Sequence, residues 1–251
     1  MPNAHLQMTP FASRTHPPRG IPAWSGRFAV AALIGAGGVG TLSLEVFHST
    51  SPHAAVVTVL YLCACGGVAG LMRGHYPHSA IGLCNLVTLA RLALTVVLVA
   101  PILAGHSGPG WGVFTIAALA LGLDGLDGWL ARRQHLTSAF GARFDMEVDA
   151  ALSLILELNA FMAGSAGPQV LLLGLPRYAF ALAGLLLPWL ARPLPDRFWR
   201  KVACVLQIGA LIALQVPGLP SLLTGPACGA AAVALGISFG RDVIWLYRRR
   251  A

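Results

Sequence analysis

Five of the nine acidic residues in this 251-residue chain lie within the stretch 124–149. Asp124 and Asp127 are three positions apart, Asp145 and Asp149 are four apart, and Glu147 lies inside the second pair. Residues three or four apart on a helix share one face, so each pair directs two carboxylates the same way. Four carboxylates brought together repel one another and ionise fully only when cations lie among them. Glu147 belongs to neither pair, and we leave it out of the candidate site.

Four converging carboxylates predict a metal-assisted reaction. Oxygen ligands suit hard divalent ions such as Mg²⁺ or Mn²⁺, and four carboxylates can hold two of them. Such a two-metal site clamps the attacking and leaving oxygens of an in-line phosphoryl displacement, and a partly free carboxylate can accept the proton of the attacking hydroxyl. The small residues Gly128, Ala131 and Gly141 let a nucleotide approach the backbone, and Arg132 offers a fixed cation for a diphosphate.

The alternative is that these acids only cap helices. Asp145 and Asp149 are predicted to open a helix, where the helix dipole favours negative charge. Asp124 and Asp127 are predicted near the C-terminal end of a helix, where negative charge is disfavoured. Capping therefore does not explain the first pair, and we favour the functional interpretation.

The elements that must position these acids are membrane helices. The chain is 56% hydrophobic and 10% charged, with a mean hydropathy of +0.71, whereas an average soluble domain carries about 25% charged residues. Its net charge of +8 comes from Arg and Lys that lie mostly between apolar runs, which indicates membrane topology and anionic-lipid contact rather than nucleic-acid binding. We predict an all-α, polytopic membrane bundle with eight spans, at 27–48, 54–72, 84–104, 111–132, 142–164, 168–190, 199–217 and 224–247.

The basic residues also predict the orientation. Both tails and alternate connections are rich in arginine, whereas the remaining connections carry neither Arg nor Lys: 49–53, 105–110, 164–168 and 218–223. Connections rich in Arg and Lys stay on the cytoplasmic side of a membrane. We therefore expect both termini and the acidic cluster on the cytoplasmic side of an inner or plasma membrane.

The acidic stretch resembles the signature D-x2-D-G-x2-A-R-x8-G-x3-D-x3-D of the CDP-alcohol phosphotransferases, also called CDP-alcohol phosphatidyltransferases. Every fixed position is present, at Asp124, Asp127, Gly128, Ala131, Arg132, Gly141, Asp145 and Asp149. The family has a catalytic core of six transmembrane helices, which corresponds to the third to eighth predicted spans. The resemblance thus implies a six-helix catalytic domain at 80–251. It leaves outside two accessory transmembrane helices at 27–79 and the polar segment 1–26, which the basic residues predict to be a cytoplasmic tail.

Two further matches are weaker. Asn85, Thr88 and Arg91 are similar to an N-x2-T-x2-R pattern on the family's first core helix, although Cys84 replaces the usual preceding proline. The segment 200–207 resembles the family's G-K-x-K-T-x2-Q only through Lys201 and Gln207. Lys201 and Arg241, both toward the cytoplasmic side, could bind an anionic acceptor. Alternatively, they only set the orientation of the chain in the membrane or contact lipid head groups. The candidate phosphate or acceptor contacts are Asn85, Thr88, Arg91, Lys201 and Arg241.

The resemblance implies a transfer reaction on a membrane lipid. The hydroxyl of a small alcohol attacks the β-phosphorus of CDP-diacylglycerol, CMP leaves, and the product enters phospholipid synthesis. It further implies Asp124, Asp127 and Asp145 as metal ligands, and Asp149 as the general base and a ligand of a second ion. The CDP-binding residues would be Asp127, Gly128, Ala131, Arg132 and Gly141.

The acceptor stays open at this stage. Glycerol 3-phosphate is the leading candidate, with inositol phosphate and serine as alternatives, and the family resemblance suggests a homodimer. A divalent-cation transporter is the rival from another class, but a transport path should carry polar residues deep across the bilayer rather than acids at one face. Two isolated charges deeper in the fifth and sixth spans, Glu157 and Arg177, are predicted to form a structural ion pair.

Overall fold

The computed structural model describes residues 22–105, 110–191, 198–218 and 221–249, so most of the predicted tail at 1–26 lies outside the described residues. All regular structure in the described ranges is helical, as predicted. The α-helices are α1 (Ser25–Glu45), α2 (Ser51–His75), α3 (Leu83–Val97), α4 (Ala100–Leu103), α5 (Trp111–Arg133), α6 (Ala139–Met162), α7 (Leu175–Leu186), α8 (Phe198–Ala213) and α9 (Ser221–Tyr247). Short 3₁₀ segments lie at Pro168–Leu172 and Pro188–Ala191.

The described residues fall into two compact units. The N-terminal unit comprises 22–105 and 115–155, and the C-terminal unit comprises 110–114, 156–191, 198–218 and 221–249. In the N-terminal unit, α1 packs against α2 and α3. In the C-terminal unit, α8 packs against α9, and α7 contacts α9 and both 3₁₀ segments.

Five stretches of the described chain are long and apolar enough to cross a membrane. They are Ser25–Glu45, Ser51–His75, Leu83–Leu103, Trp111–Arg133 and Thr224–Tyr247. Three other predicted spans do not meet this description: α6 carries five charged residues, and α7 and α8 have only 12 and 16 residues. The count of eight spans and the arrangement of six core helices plus two stay predictions.

Helix α3 carries a buried polar face. Its buried polar side chains are Asn85, Thr88, Arg91 and Thr95, spaced three or four residues apart and therefore on one side of the helix. The helix ends at Val97 because Pro101 has no N–H to donate to the Val97 carbonyl.

The connection between α5 and α6 is fixed to the start of α3. The Leu83 N–H, one of the donors that a helix leaves unpaired at its N-terminus, donates to Oε1 of Gln134 at 3.1 Å. Leu136 lies so close to Gly82 that a Cβ atom there would collide with its side chain. His135 turns the chain with a positive φ of 53°. The connection and α3 are therefore held in one arrangement.

Helix α6 begins at Ala139, three residues before the predicted span. The Gly141 N–H donates to Oγ of Ser138 at 3.0 Å, which is a side-chain cap of the helix N-terminus. Asp145 consequently lies in the second turn, and the first turn carries no acidic residue. The expectation that Asp145 and Asp149 open the helix is wrong. Because the dipole's influence fades within the first turn, capping does not explain these acids either.

Candidate active site

A single arginine lies at the centre of the acidic cluster. Arg91 on α3 is fully buried, and its guanidinium forms ion pairs with all four aspartates of the motif. The distance to Oδ1 of Asp124 is 3.1 Å and that to Oδ2 of Asp127 is 2.8 Å; Asp145 and Asp149 are also in contact. Its Nε donates to the carbonyl of Ala120 at 3.2 Å, which fixes the plane of the guanidinium.

The four carboxylates differ in exposure. Asp124 and Asp127 on α5 are buried, whereas the side chains of Asp145 and Asp149 on α6 retain 34% and 27% of their accessible surface. The cluster is thus closed on the α5 side and open on the α6 side. Asp145 and Asp149 are therefore the members of the cluster that a water-soluble group can approach most readily.

The cluster fits a divalent cation. One carboxylate oxygen from each of Asp124, Asp127 and Asp145 can be chosen so that all three lie within 4.8 Å of one another. Three convergent carboxylates are the ligands that Mg²⁺ and Mn²⁺ prefer. Four carboxylates against one guanidinium also leave the cluster negative, so a further cation would lower the repulsion that remains.

Two neighbours on α3 support the cluster and its surroundings. Oγ1 of Thr88 lies 3.0 Å from Oδ2 of Asp127 and 3.0 Å from its own helix carbonyl at Cys84. Nδ2 of Asn85 donates to the hydroxyl of Tyr76 at 3.0 Å. Thr88 therefore orients a candidate metal ligand, while Asn85 bonds to a residue in the connection before α3.

Sequence reasoning missed Tyr76, which comes between α2 and α3. Its hydroxyl donates to the carbonyl of Ala80 at 3.1 Å and accepts from Asn85. Burial raises the pKa of the Tyr76 phenol, so the hydroxyl keeps its proton at neutral pH. No spacing in the sequence marks this residue, because its partners come from the following turn and helix.

The remaining motif residues lie around the ends of α5 and α6 that face the connection. A Cβ atom at Gly141 would lie 3.4 Å from Oδ1 of Asn85 and 3.2 Å from Oγ of Ser138, so the space there suits glycine. A Cβ atom at Gly128 would lie 3.5 Å from a guanidinium nitrogen of Arg132, whose side chain is exposed. Ala131 is half-buried one turn after Gly128.

The other two candidate cations belong to the C-terminal unit. Lys201 and Arg241 are both exposed, on α8 and α9. Gln207, the other match to the weaker motif, is buried and donates to the carbonyl of Leu173 at 3.0 Å. Arg200 forms a two-point ion pair with the buried Asp242, at 2.9 and 3.3 Å, which the sequence did not predict.

The ion pair between Glu157 and Arg177 stays a prediction, because the Arg177 side chain lies outside the described residues. Glu157 is 1% exposed in the C-terminal unit. Its carboxylate faces the backbone N–H of Gly174 and the side chain of Gln207. A Cβ atom at Gly174 would lie only 2.5 Å from Oε2 of Glu157, so the two residues are in close contact.

Comparison with known proteins gives one family match. A family model described as CDP-alcohol phosphatidyltransferase matches residues 81–239. The matched range contains the whole acidic cluster and Arg91, and it leaves α1 and α2 outside. No curated protein and no solved structure matches the chain.

Proposed function

Because this chain belongs to the CDP-alcohol phosphatidyltransferase family, we propose that it transfers a phosphatidyl group from CDP-diacylglycerol to a small alcohol and releases CMP. The family and the five apolar helices make it an integral membrane transferase of phospholipid synthesis. The observation that carries the proposal is the convergence of all four motif aspartates on one buried guanidinium.

The proposed metal ligands are Asp124, Asp127 and Asp145, with Asp149 completing a second position. The support is the close grouping of the first three carboxylates and the surplus negative charge of the cluster. When bound, Mg²⁺ or Mn²⁺ would supply positive charge to the diphosphate and polarise its phosphorus–oxygen bonds. Arg91 contacts all four carboxylates and holds them together, which supports a single binding position for the diphosphate beside them.

Asp149 is the proposed general base. Its carboxylate is partly exposed, so an acceptor hydroxyl can approach it from water, unlike Asp124 and Asp127. The hydroxyl proton passes to Asp149 as the acceptor oxygen attacks the β-phosphorus. The bond from the β-phosphorus to the bridging oxygen breaks, and that oxygen leaves with CMP.

The CDP group is proposed to bind along Asp127, Gly128, Ala131, Arg132 and Gly141. Gly128 presents no side chain next to the exposed Arg132 guanidinium, which can pair with a diphosphate oxygen. Gly141 also lies against Asn85, so a larger residue there would press on α3 as well as on the nucleotide.

The proposed acceptor is glycerol 3-phosphate, with inositol phosphate or serine as alternatives. Among the candidate acceptor contacts, Asn85, Thr88 and Arg91 contact protein groups, which favours a positioning role for them. Lys201 and Arg241 are exposed cations and can still meet an anionic acceptor. The same proposal includes a homodimer, eight spans, and a cytoplasmic location for both termini and the active site.

The decisive experiment supplies purified protein with CDP-diacylglycerol and a panel of alcohols, and measures CMP and the lipid product. We expect CMP release with one acceptor, and the product's head group names that acceptor. Protein that binds Mn²⁺ yet forms no CMP with any acceptor would refute the transferase and favour the cation transporter.

A further inference from the structure

A largely apolar groove runs between α8 and α9 in the C-terminal unit. Its volume is about 480 Å³, and its walls include Ala203 and Leu206 on α8 and Ala234 and Ile237 on α9. Both helices contribute to it, and α8 and α9 pack directly against each other. The groove is therefore a feature of this pair of helices and does not depend on the acidic cluster.

One end of the groove is charged, and its charges do not cancel. Asp242 would repel an anion, but it is buried and held by Arg200 through two contacts at 2.9 and 3.3 Å. Arg241 lines the same end, is exposed, and has no ion-pair partner among the described residues. Counted over the described residues that line this end of the groove, the net charge is positive.

A second cavity continues this charge along α9. It has a volume of about 320 Å³ and is lined by Arg241, Ile244, Trp245, Arg248 and Arg249. Arg241 lines both cavities, so the two are neighbours along α9. The guanidinium of Arg249 stacks over the Trp245 ring at 4.3 Å from its centroid, which holds this arginine at the rim.

We propose that the groove and its basic rim bind one phospholipid with an anionic head group. An acyl chain would lie along the apolar walls, and the head-group phosphate would meet Arg241 and Arg248. From Ala234 to Arg241 the helix rises by about 10 Å, which is a substantial part of the acyl depth of one leaflet. Trp245 occupies the rim, as tryptophan does where membrane meets water.

The combination of apolar groove and basic rim favours a lipid over a soluble anion. A free phosphate would use only the arginines and would leave the apolar walls without a role. A zwitterionic lipid would gain little from the arginines. Each basic residue near an anionic membrane surface strengthens binding about fivefold, so loss of two arginines should weaken retention about 25-fold.

The test is native mass spectrometry of the full chain with phosphatidylglycerol or phosphatidylcholine of identical acyl chains. We expect preferential retention of phosphatidylglycerol, and about 25-fold weaker retention in Arg241→Gln/Arg248→Gln. The matched control, Arg27→Gln/Arg73→Gln, removes the same charge from exposed positions on α1 and α2 and should retain lipid like wild type. Equal retention of both lipids, or an equal loss in the control, overturns the proposal.

A second pair of variants tests the apolar part. Ile237→Trp should fill the groove and reduce retention while the arginines stay intact, whereas Val233→Trp, on the same helix and outside the groove, should not. Inorganic phosphate is added as a competitor at millimolar concentration. If phosphate displaces the lipid, or if Ile237→Trp retains lipid like wild type, the apolar walls do not contribute to binding and the lipid proposal falls. None of these measurements uses turnover, so the outcome is independent of the proposed transferase activity.

Discussion

Two of the buried acidic sites in the described residues differ in how their charge is balanced. In the N-terminal unit, four aspartates surround one guanidinium, and two of them remain about a third exposed. In the C-terminal unit, Glu157 is almost fully buried and faces a backbone N–H and an amide side chain, both neutral. The first place has more acid than its own cation balances and is open to solvent, whereas the second is a single closed group. The surplus acid and the exposure of the first site suit the uptake of a cation, and we interpret the enclosed Glu157 as a structural group.

Removing divalent ions should give the largest difference between the aspartate cluster and Glu157. The Asp cluster needs added positive charge before it can hold a diphosphate, so EDTA should abolish CMP formation, and excess Mg²⁺ or Mn²⁺ should restore it. A Glu157→Gln variant should respond to EDTA like wild type, because Glu157 is no part of the cation site. A transfer rate that EDTA leaves unchanged would remove the metal from the mechanism.

Replacing one carboxylate should reveal the proton acceptor. Asp149→Asn should lower kcat by about 10² to 10⁴-fold, which is the range for loss of a general base. Mn²⁺ should still bind, since Asp124, Asp127 and Asp145 remain. Glu147→Gln, on the same helix but outside both acidic pairs, is the control and should keep near-wild-type turnover. Wild-type-like activity in Asp149→Asn would refute the assignment of the base.

Replacing Arg91 should make the stability of the protein depend on bound divalent metal. Arg91→Gln leaves four carboxylates without their guanidinium, and breaking a buried ion pair costs about 3–5 kcal/mol. We expect a large fall in the midpoint of thermal unfolding in EDTA and a smaller fall in Mg²⁺. Arg27→Gln should behave alike in both buffers. An equal fall with and without Mg²⁺ would mean that Arg91 does not act by neutralising the aspartates.

The smallest expected effect concerns the contact between Glu157 and Gly174 in the C-terminal unit. Gly174→Ala sets a methyl group 2.5 Å from Oε2 of Glu157 and should cost about 1–3 kcal/mol of stability, as overpacking does. The transfer rate per folded molecule should not change. Gly209→Ala, where nothing lies within 4 Å, is the matched control and should not destabilise. A change in kcat in Gly174→Ala would end the distinction between a functional cluster and a structural acid.

The sequence predicted the four aspartates because helical periodicity fixes which residues share a face. It could not place Arg91 among them, since the contact joins α3 to residues 33 to 58 positions later, and only the fold brings them together. It placed the start of α6 three residues late because it did not include the side-chain cap at Ser138, which accepts from the Gly141 N–H.

The predicted span at 168–190 is not one continuous helix in the structure. Prolines divide it: Pro168 and Pro188 each begin a 3₁₀ segment, and Pro176 lies in the first turn of α7. Proline accepts a position at the start of a helical segment but interrupts one that would continue through it. Apolar length alone hides these interruptions, although the prolines themselves are visible in the sequence.

The central position of Arg91 has a consequence for how the chain is made. Its nearest acidic partner in sequence, Asp124, is synthesised 33 residues later, and Asp149 comes 58 residues later. At about 5–20 residues per second, the ribosome needs several seconds to deliver all four partners. During that interval the Arg91 guanidinium has none of its four aspartate partners, and an unpaired charge on a membrane helix is unfavourable. Helix α1, which packs against α3, has already been synthesised by then and can hold α3 in place until the acids arrive.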